Sequence, residues 1–311
     1  MSKRILGLAL TIQLVVECGT LKCQITSVNS DRHLIVGARV AALGDAGVVD
    51  YESINDMYYN PASISFITTR GVDATGSLER LDNNDFTMVE NVAFPVIVDN
   101  TWALGLGATF SHVGKAQSGG PNGGLNYQLF VTDVAISNAL TRSLSLGIGL
   151  NGGFGFADSV QLGTLSSSVG LFYIPEPGIS YGIVVQGFGW GLGFSADSGR
   201  TVMKRNALDR SFQIGVSLRF PKNADRPLLS LLFATQKLLN RNELVYKSGV
   251  EVFPVTFAAI RWGYWLGRHS SAAKYGAGIR FGRVGLDYAV SPSELEPRFH
   301  QASISYALGS Q

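Results

Sequence analysis

The chain has 311 residues, a formal net charge of +2, charged residues at only 15%, hydrophobic residues at 46% and 37 glycines. Both signs of charge are scattered, so there is no basic stripe for nucleic acid, and no Pro-, Ser- or charge-rich linker marks a second domain. Such a chain is drier than an ordinary soluble enzyme yet has no long apolar run in its body. That balance suits a membrane barrel, whose lipid face is apolar and whose backbone hydrogen bonds run between strands.

Met1-Ser2-Lys3-Arg4 followed by the apolar run Ile5 to Val16 has the charged start and short greasy centre of a secretory signal, too short to span a membrane as a mature helix. Residues 1–23 are expected to be removed. Both cysteines, Cys18 and Cys23, fall in this segment, so the mature chain is expected to hold no disulfide, cysteine metal site or cysteine nucleophile. Lipid attachment at either cysteine is the minor alternative. No cofactor or metal is expected.

Val36 to Ile64 carries small residues (Gly37, Ala38, Ala41, Ala42, Gly44, Ala46, Gly47), a lone Arg39, the acids Asp45, Asp50 and Asp56, and an Asn60-Pro61 stop. It has too few large apolar groups for a core of its own, so it reads as an insert packed closely against something else. Residues 24–70 are expected to form a hatch or plug, and residues 71–311 the wall around it.

The wall shows in the alternation. Trp102, Leu104, Leu106, Ala108 and Phe110 share one face against Ala103, Gly105, Gly107, Thr109 and Ser111, and Phe212, Ile214, Val216, Leu218 and Phe220 oppose Ser211, Gln213, Gly215, Ser217 and Arg219. Fourteen such segments can be placed, near 71–81, 86–96, 102–112, 126–139, 143–156, 165–174, 178–188, 210–220, 227–237, 243–253, 257–265, 274–281, 283–290 and 300–308. An even count is what a bacterial barrel requires. Leu228 to Leu239, crowded with leucine, would also fit a helix, and several segments fall short of the roughly 9–11 residues of a tilted spanning strand. Turn signals include 119–124, Asp197-Ser198-Gly199, Pro221-Lys222-Asn223 and Gly282-Arg283.

A soluble sandwich or lipocalin-like barrel would alternate too. Here the polar face is mostly Gly, Ser, Ala and Asn, poor soluble surface but good lumen lining, so the expected fold is an all-β transmembrane antiparallel barrel of about fourteen strands with apolar residues outward and an N-terminal plug. Lys247, Glu251, Arg261, Arg280 and Asp287 then point inward from successive strands, close enough to pair across the wall. With Arg39, Asp45, Asp50, Asn60 and Pro61 of the insert they form the candidate hatch and lumen network. A shape-holding ion network is the plain reading of these charges, and a polar ligand or translocation site the other.

Gly37-Ala38-Arg39, Leu43-Gly44-Asp45-Ala46-Gly47 and Tyr59-Asn60-Pro61-Ala62 resemble the N-terminal signature of the PorV/PorQ-type proteins, related in fold to the FadL long-chain fatty-acid channels. Ser248-Gly249-Val250-Glu251, Ile260-Arg261-Trp262-Gly263-Tyr264, Tyr275-Gly276-Ala277-Gly278-Ile279, Leu286-Asp287-Tyr288-Ala289 and His300 to Tyr306 resemble its later elements. The resemblance implies a fourteen-stranded bacterial outer-membrane barrel with the N-terminal segment folded inside, and a non-enzymatic accessory role in type IX-like protein secretion beside a separate translocon and its cargo. A departure is the C-terminus, Ala307 to Gln311, which lacks the terminal aromatic of many such barrels.

Two enzyme motifs are weighed. Gly147 to Gly152 spells a dinucleotide fingerprint, but no helix follows it. Gly178-Ile179-Ser180-Tyr181-Gly182, with Asp287 and His300 downstream, has hydrolase order, but the motif runs on as a strand where a turn into a helix is needed. His33, His112 and His269 show no metal spacing. Against the secretion role stands a passive channel for hydrophobic small molecules, with a barrel-embedded hydrolase as the remote third. A channel needs a continuous apolar cleft, and the small, acidic insert and short polar loops favour the secretion role. Beyond these partners, the chain is expected to contact outer-membrane lipid.

Overall fold

The computed structural model describes residues 36–67, 69–80, 86–97, 101–114, 127–157, 160–197, 200–222, 227–240, 242–268, 271–292 and 298–310. The expected signal peptide, the first part of the expected hatch (24–35), His33, His269 and the turn at 119–124 lie outside these residues.

The alternation becomes fifteen strand segments: β1 (Thr69–Arg80), β2 (Phe86–Ile97), β3 (Trp102–Gly114), β4 (Tyr127–Ala139), β5 (Leu144–Ala157), β6 (Val160–Glu176), β7 (Ile179–Asp197), β8 (Arg200–Ala207), β9 (Ser211–Phe220), β10 (Leu229–Leu238), β11 (Glu243–Val255), β12 (Ala258–Leu266), β13 (Ser271–Phe281), β14 (Val284–Ser291) and β15 (Arg298–Ser310). Consecutive strands pair antiparallel, except β8 and β9. β1 pairs with β15, and β7 pairs with both β6 and β9, so the sheet closes on itself. Where the sheet closes, no backbone edge is left for lipid to meet, whereas β8 pairs on one side only, with β7.

The extra segment does not add a stave. Ile179 to Gln186 of β7 pairs with β9, and Trp190 to Asp197 pairs with β8. β8 and β9 therefore lie end to end along one strand, and the wall has fourteen positions. The step between them sits opposite Gly187 of β7, at φ 86°, where a side chain would run into the Asp209 carbonyl. Asn240 closes the step by donating to Leu208 O (3.0 Å) and Asp209 Oδ1 (3.1 Å). β10, the leucine-crowded stretch, is a strand. The fingerprint at Gly147 to Gly152 lies within β5.

The wall is inverted relative to a soluble barrel. Leu146, Ile214 and Ile304 are 42%, 46% and 50% exposed on the outside, whereas Arg261 is 3% exposed on the inside. Outward aromatics such as Trp102, Tyr173, Phe220, Phe257 and Tyr306 stand near the short-turn end, as in the girdle of a membrane-spanning barrel.

The inward face meets residues Val36 to Ile67. Helix α1 (Ala38–Ala42) lies against β12, β13, β14 and β15; the 3₁₀ turn Gly47–Val49 against β7, β9 and β10; the turn Ile54–Tyr58 against β1 and β2; and the turn Pro61–Phe66 against β3 to β6. Apolar clusters form where they meet. Leu43, Val48 and Val49 pack with Val184, Leu232 and Ala234, while Ile54, Met57 and Ile64 pack with Ala93, Ala103 and Ala135. Small wall residues let the segment's backbone come close enough for van der Waals contact.

Candidate functional site

The segment inside the barrel is held by two different chemistries, and the first is neutral. Asn60 caps the turn that starts at Pro61: its Oδ1 accepts from Ala62 N (3.1 Å), and its Nδ2 donates to Val48 O and to Leu171 O of β6, both at 3.1 Å. Proline suits the first position of such a turn because its missing N–H would be unpaired there anyway. Around this anchor the wall satisfies the segment's carbonyls. Ser145 Oγ (2.6 Å) and Ser137 Oγ (3.2 Å) donate to Ala62 O, Ser180 Oγ donates to Val49 O (2.9 Å), and Gln186 Nε2 donates to Tyr58 O (2.9 Å). A buried carbonyl left unpaired would cost free energy, which is why serine and glutamine line this side.

Glycines admit the backbone where even Ala would not fit. A Cβ at Gly182 would strike Val48 O, and one at Gly147 would strike the Pro61–Ala62 peptide. On the far side Gly249 and Gly263 face each other across β11 and β12. Leu43 and Gly44 press into that gap, with Leu43 O 2.6 Å from where a Gly249 Cβ would stand.

The second chemistry is ionic. Arg39 donates to both oxygens of Glu251, from Nε (3.0 Å) and Nη2 (2.7 Å), and pairs with Asp50 through Nη1. Arg261 Nε also donates to Glu251 Oε1 (2.7 Å) and its Nη1 to Asp287 Oδ1 (2.7 Å). Asp50 Oδ1 receives Arg219 Nη2 (3.1 Å), and Arg219 Nη1 reaches Glu52 (2.5 Å). The side chains of Asp50 and Glu251 are 0% and 1% exposed. Charges so deep persist only when paired and fully hydrogen-bonded. Separately, Lys274 pairs with Asp45.

The structure thus brings Arg39, Asp50, Glu251, Arg261 and Asp287 into one cluster, and joins Asp45 to a lysine outside the candidate set. Lys247 is buried and, among the described residues, donates to Gln213 Oε1 at 3.4 Å. Arg280 is exposed at the short-turn end. It lines a cavity of about 180 Å³ between the segment and β1, β13, β14 and β15, together with Glu52, Asp73, Arg283 and Ser305. Asn60 and Pro61 lie on the opposite wall, in the neutral anchor. Sequence reasoning missed Arg219, Glu52 and Lys274. Strand parity held the signal for two of them: Arg219 shares a face with Ser217 and Gln213, and Lys274 shares one with Gly276, Gly278 and Arg280.

One acid of the segment is held differently. Asp56 accepts from Ser53 N (2.9 Å) in a capping box, and burial, then the nearby Asp50 carboxylate, push its pKa well above the usual carboxylate range.

The hydrolase triad does not assemble. Ser180 faces the lumen and donates to Val49 O, Asp287 faces the lumen beside Arg261, and His300 faces outward on β15, its Nδ1 2.6 Å from the Tyr288 hydroxyl.

No family model matches the chain, and no curated protein matches it. Solved structures do. The chain is similar to the Ralstonia pickettii toluene transporter TbuX, with 13% identity and a TM-score of 0.62 over 92% of this chain and 100% of that one. The fold is FadL-like. A Pseudomonas aeruginosa FadL homologue aligns with a TM-score of 0.65 and 12% identity over 88% of this chain and 98% of its own, and the Pseudomonas putida toluene transporter TodX with 0.63 and 13% over 88% and 97%. At such identities the FadL-like relationship is one of architecture. The PorV/PorQ resemblance finds no counterpart among these structures.

Proposed function

We propose that the chain is a passive channel for hydrophobic small molecules in a bacterial outer membrane, and that the segment Val36 to Ile67 is its closure. The observation that carries this reading is the FadL-like wall across 92% of the chain, shared with a protein named as a toluene transporter. The class of solute follows from that name and from the monoaromatic hydrocarbon channel CymD, similar at a TM-score of 0.64 and 14% identity.

The geometry supports a gated barrel in two ways. The segment touches the wall around nearly its whole circumference, so a solute can pass only if part of it moves. The space for movement is the cavity at the short-turn end, where the segment's Gly37, Ser53 and Asn55 leave a gap beside β1 and β15. Passive transfer needs no coupled energy source: an apolar solute runs down its own gradient, and the protein supplies a route past the polar surface of the membrane. The non-enzymatic reading agrees with the transporter names of the neighbours. The secretion role, with its translocon and cargo, draws no support from them.

The test is entry into intact cells. Expressed in a Gram-negative host without such a channel, the protein should fractionate with the outer membrane and raise the initial rate of radiolabelled toluene entry several-fold. An unchanged rate with the protein in that fraction would overturn the channel reading, and recovery in the soluble fraction would overturn the location.

A further inference from the structure

The cavity at the short-turn end is polar, and its charges are set apart. Strand pairing places Arg280 of β13 opposite Gly285 of β14, Gly285 opposite Ser305 of β15, and Ser305 opposite Asp73 of β1. These four positions form one inward row, and all four line the cavity of about 180 Å³. Neighbouring strands lie about 4.8 Å apart, so roughly 14 Å of wall separates the Arg280 backbone from that of Asp73. The middle of the row is low. Gly285 has no side chain, and a Cβ there would strike Ser305 Oγ.

The two ends of the row carry opposite charges that do not meet. Arg280 and its turn neighbour Arg283 are exposed, and neither makes an ion pair or a side-chain hydrogen bond among the described residues. Asp73 is 8% exposed and accepts from the Ser53 hydroxyl and the Ile54 N–H, both neutral donors. A carboxylate has about four acceptor sites, so two remain, and no cation pairs with it among the described residues. Arg280 acts on this carboxylate through space without touching it. The other acids that line the cavity, Glu52 and Asp287, already hold Arg219 and Arg261. Ser305 Oγ has no partner among the described residues. A guanidinium end and a carboxylate end therefore face one open space, where uncompensated charge is costly.

We infer that this cavity binds a small α-amino acid as its zwitterion, with the carboxylate on Arg280 and Arg283, the ammonium on Asp73, and the Ser305 hydroxyl between them. Such a ligand meets both charges at once with charge-assisted hydrogen bonds. An anion alone would face Asp73, an amine alone would face the guanidiniums, and a diacid would set its second carboxylate against Asp73. This goes beyond the hydrophobic-solute reading and does not rest on it, because it concerns a polar molecule at the mouth of the barrel.

The probe is radiolabelled L-alanine, in equilibrium dialysis against the detergent-solubilised full chain, compared with propionate, which lacks the ammonium, and ethylamine, which lacks the carboxylate. Wild-type protein should bind alanine saturably and each half-molecule about tenfold more weakly or worse, for the loss of one charge-assisted contact. Asp73→Asn keeps an acceptor for Ser53 but removes the charge, and should weaken alanine binding by a similar factor. Arg280→Gln breaks no ion pair of the folded chain and should weaken it too. Lys222→Gln, which alters an exposed pair with Glu176, should bind as wild type. The inference is overturned if wild-type protein binds no alanine, if propionate or ethylamine binds equally, if Asp73→Asn or Arg280→Gln binds alanine unchanged, or if Lys222→Gln loses as much. None of these results bears on toluene entry, so the two readings fail separately.

Discussion

The two walls of the barrel grip the same segment by opposite means. On the β3 to β7 side the contacts are neutral: serine hydroxyls and amides donate to backbone carbonyls, and Gly147 and Gly182 let the chain lie against the strands. Across the lumen, from β9 to β14, the grip is ionic, with Arg39, Asp50 and Glu251 at its centre. Many small neutral bonds are lost one by one, whereas a buried ion cluster resists until a partner is removed and then fails steeply. The ionic side is therefore the one whose release would free the N-terminal half of the segment while the Asn60 anchor still holds the rest.

The sharpest way to break this contrast is Glu251→Ala. It takes one of two carboxylate partners from each of two buried guanidiniums, leaving Arg39 with Asp50 and Arg261 with Asp287, and about 3 kcal/mol of unfolding free energy should disappear, read as a lower urea midpoint in detergent. A loss no larger than that of an exposed pair would place the ionic wall on a par with the neutral one. Next in size is Asn60→Ala, which removes the bonds to Val48 O, Leu171 O and Ala62 N and should cost about 1–3 kcal/mol in the same assay.

The smallest effect belongs to Asp56→Asn. The Asp56 carboxyl titrates higher in the folded chain than in the unfolded one, so the folded state keeps a proton that the unfolded state loses. Stability from this group is full below the unfolded carboxylate value, near 4, and falls as pH rises towards the raised folded value. Asn cannot ionise and keeps an acceptor for Ser53 N. The variant's urea midpoint should therefore decline less between pH 4 and pH 8 than the wild type's, and a steeper decline would refute the raised pKa.

Much of the fold was legible because strand parity is a local property. Phe212 to Phe220 alternates without a break, and one apolar face with one Gly/Ser face is enough to imply an inverted barrel. β8 was missed because Arg200 to Ala207 carries no such alternation, and because β7 runs on to Asp197, well past residue 188 where its segment was expected to end. For the site, parity placed Lys247, Glu251, Arg261 and Asp287 on the inner face, and the small-residue stretch marked Arg39 and Asp50 as close to the wall. Which acid meets which base was not legible. Arg39 and Glu251 are 212 residues apart, and their meeting depends on the path of the segment across the lumen, which no local pattern encodes. Arg219 shows the same limit: its face was readable, its partners Asp50 and Glu52 were not.

The measurement that bears most directly on the closed-barrel account is single-channel recording in planar bilayers of wild-type protein, Arg39→Ala, and Arg39→Ala combined with Asn60→Ala. Wild-type traces should stay at the closed baseline, Arg39→Ala should show brief openings, and the double variant, with both grips cut, should dwell in a long-lived conducting state. A double variant as silent as the wild type, with its barrel still folded and inserted, would contradict the claim that this segment is what closes the lumen.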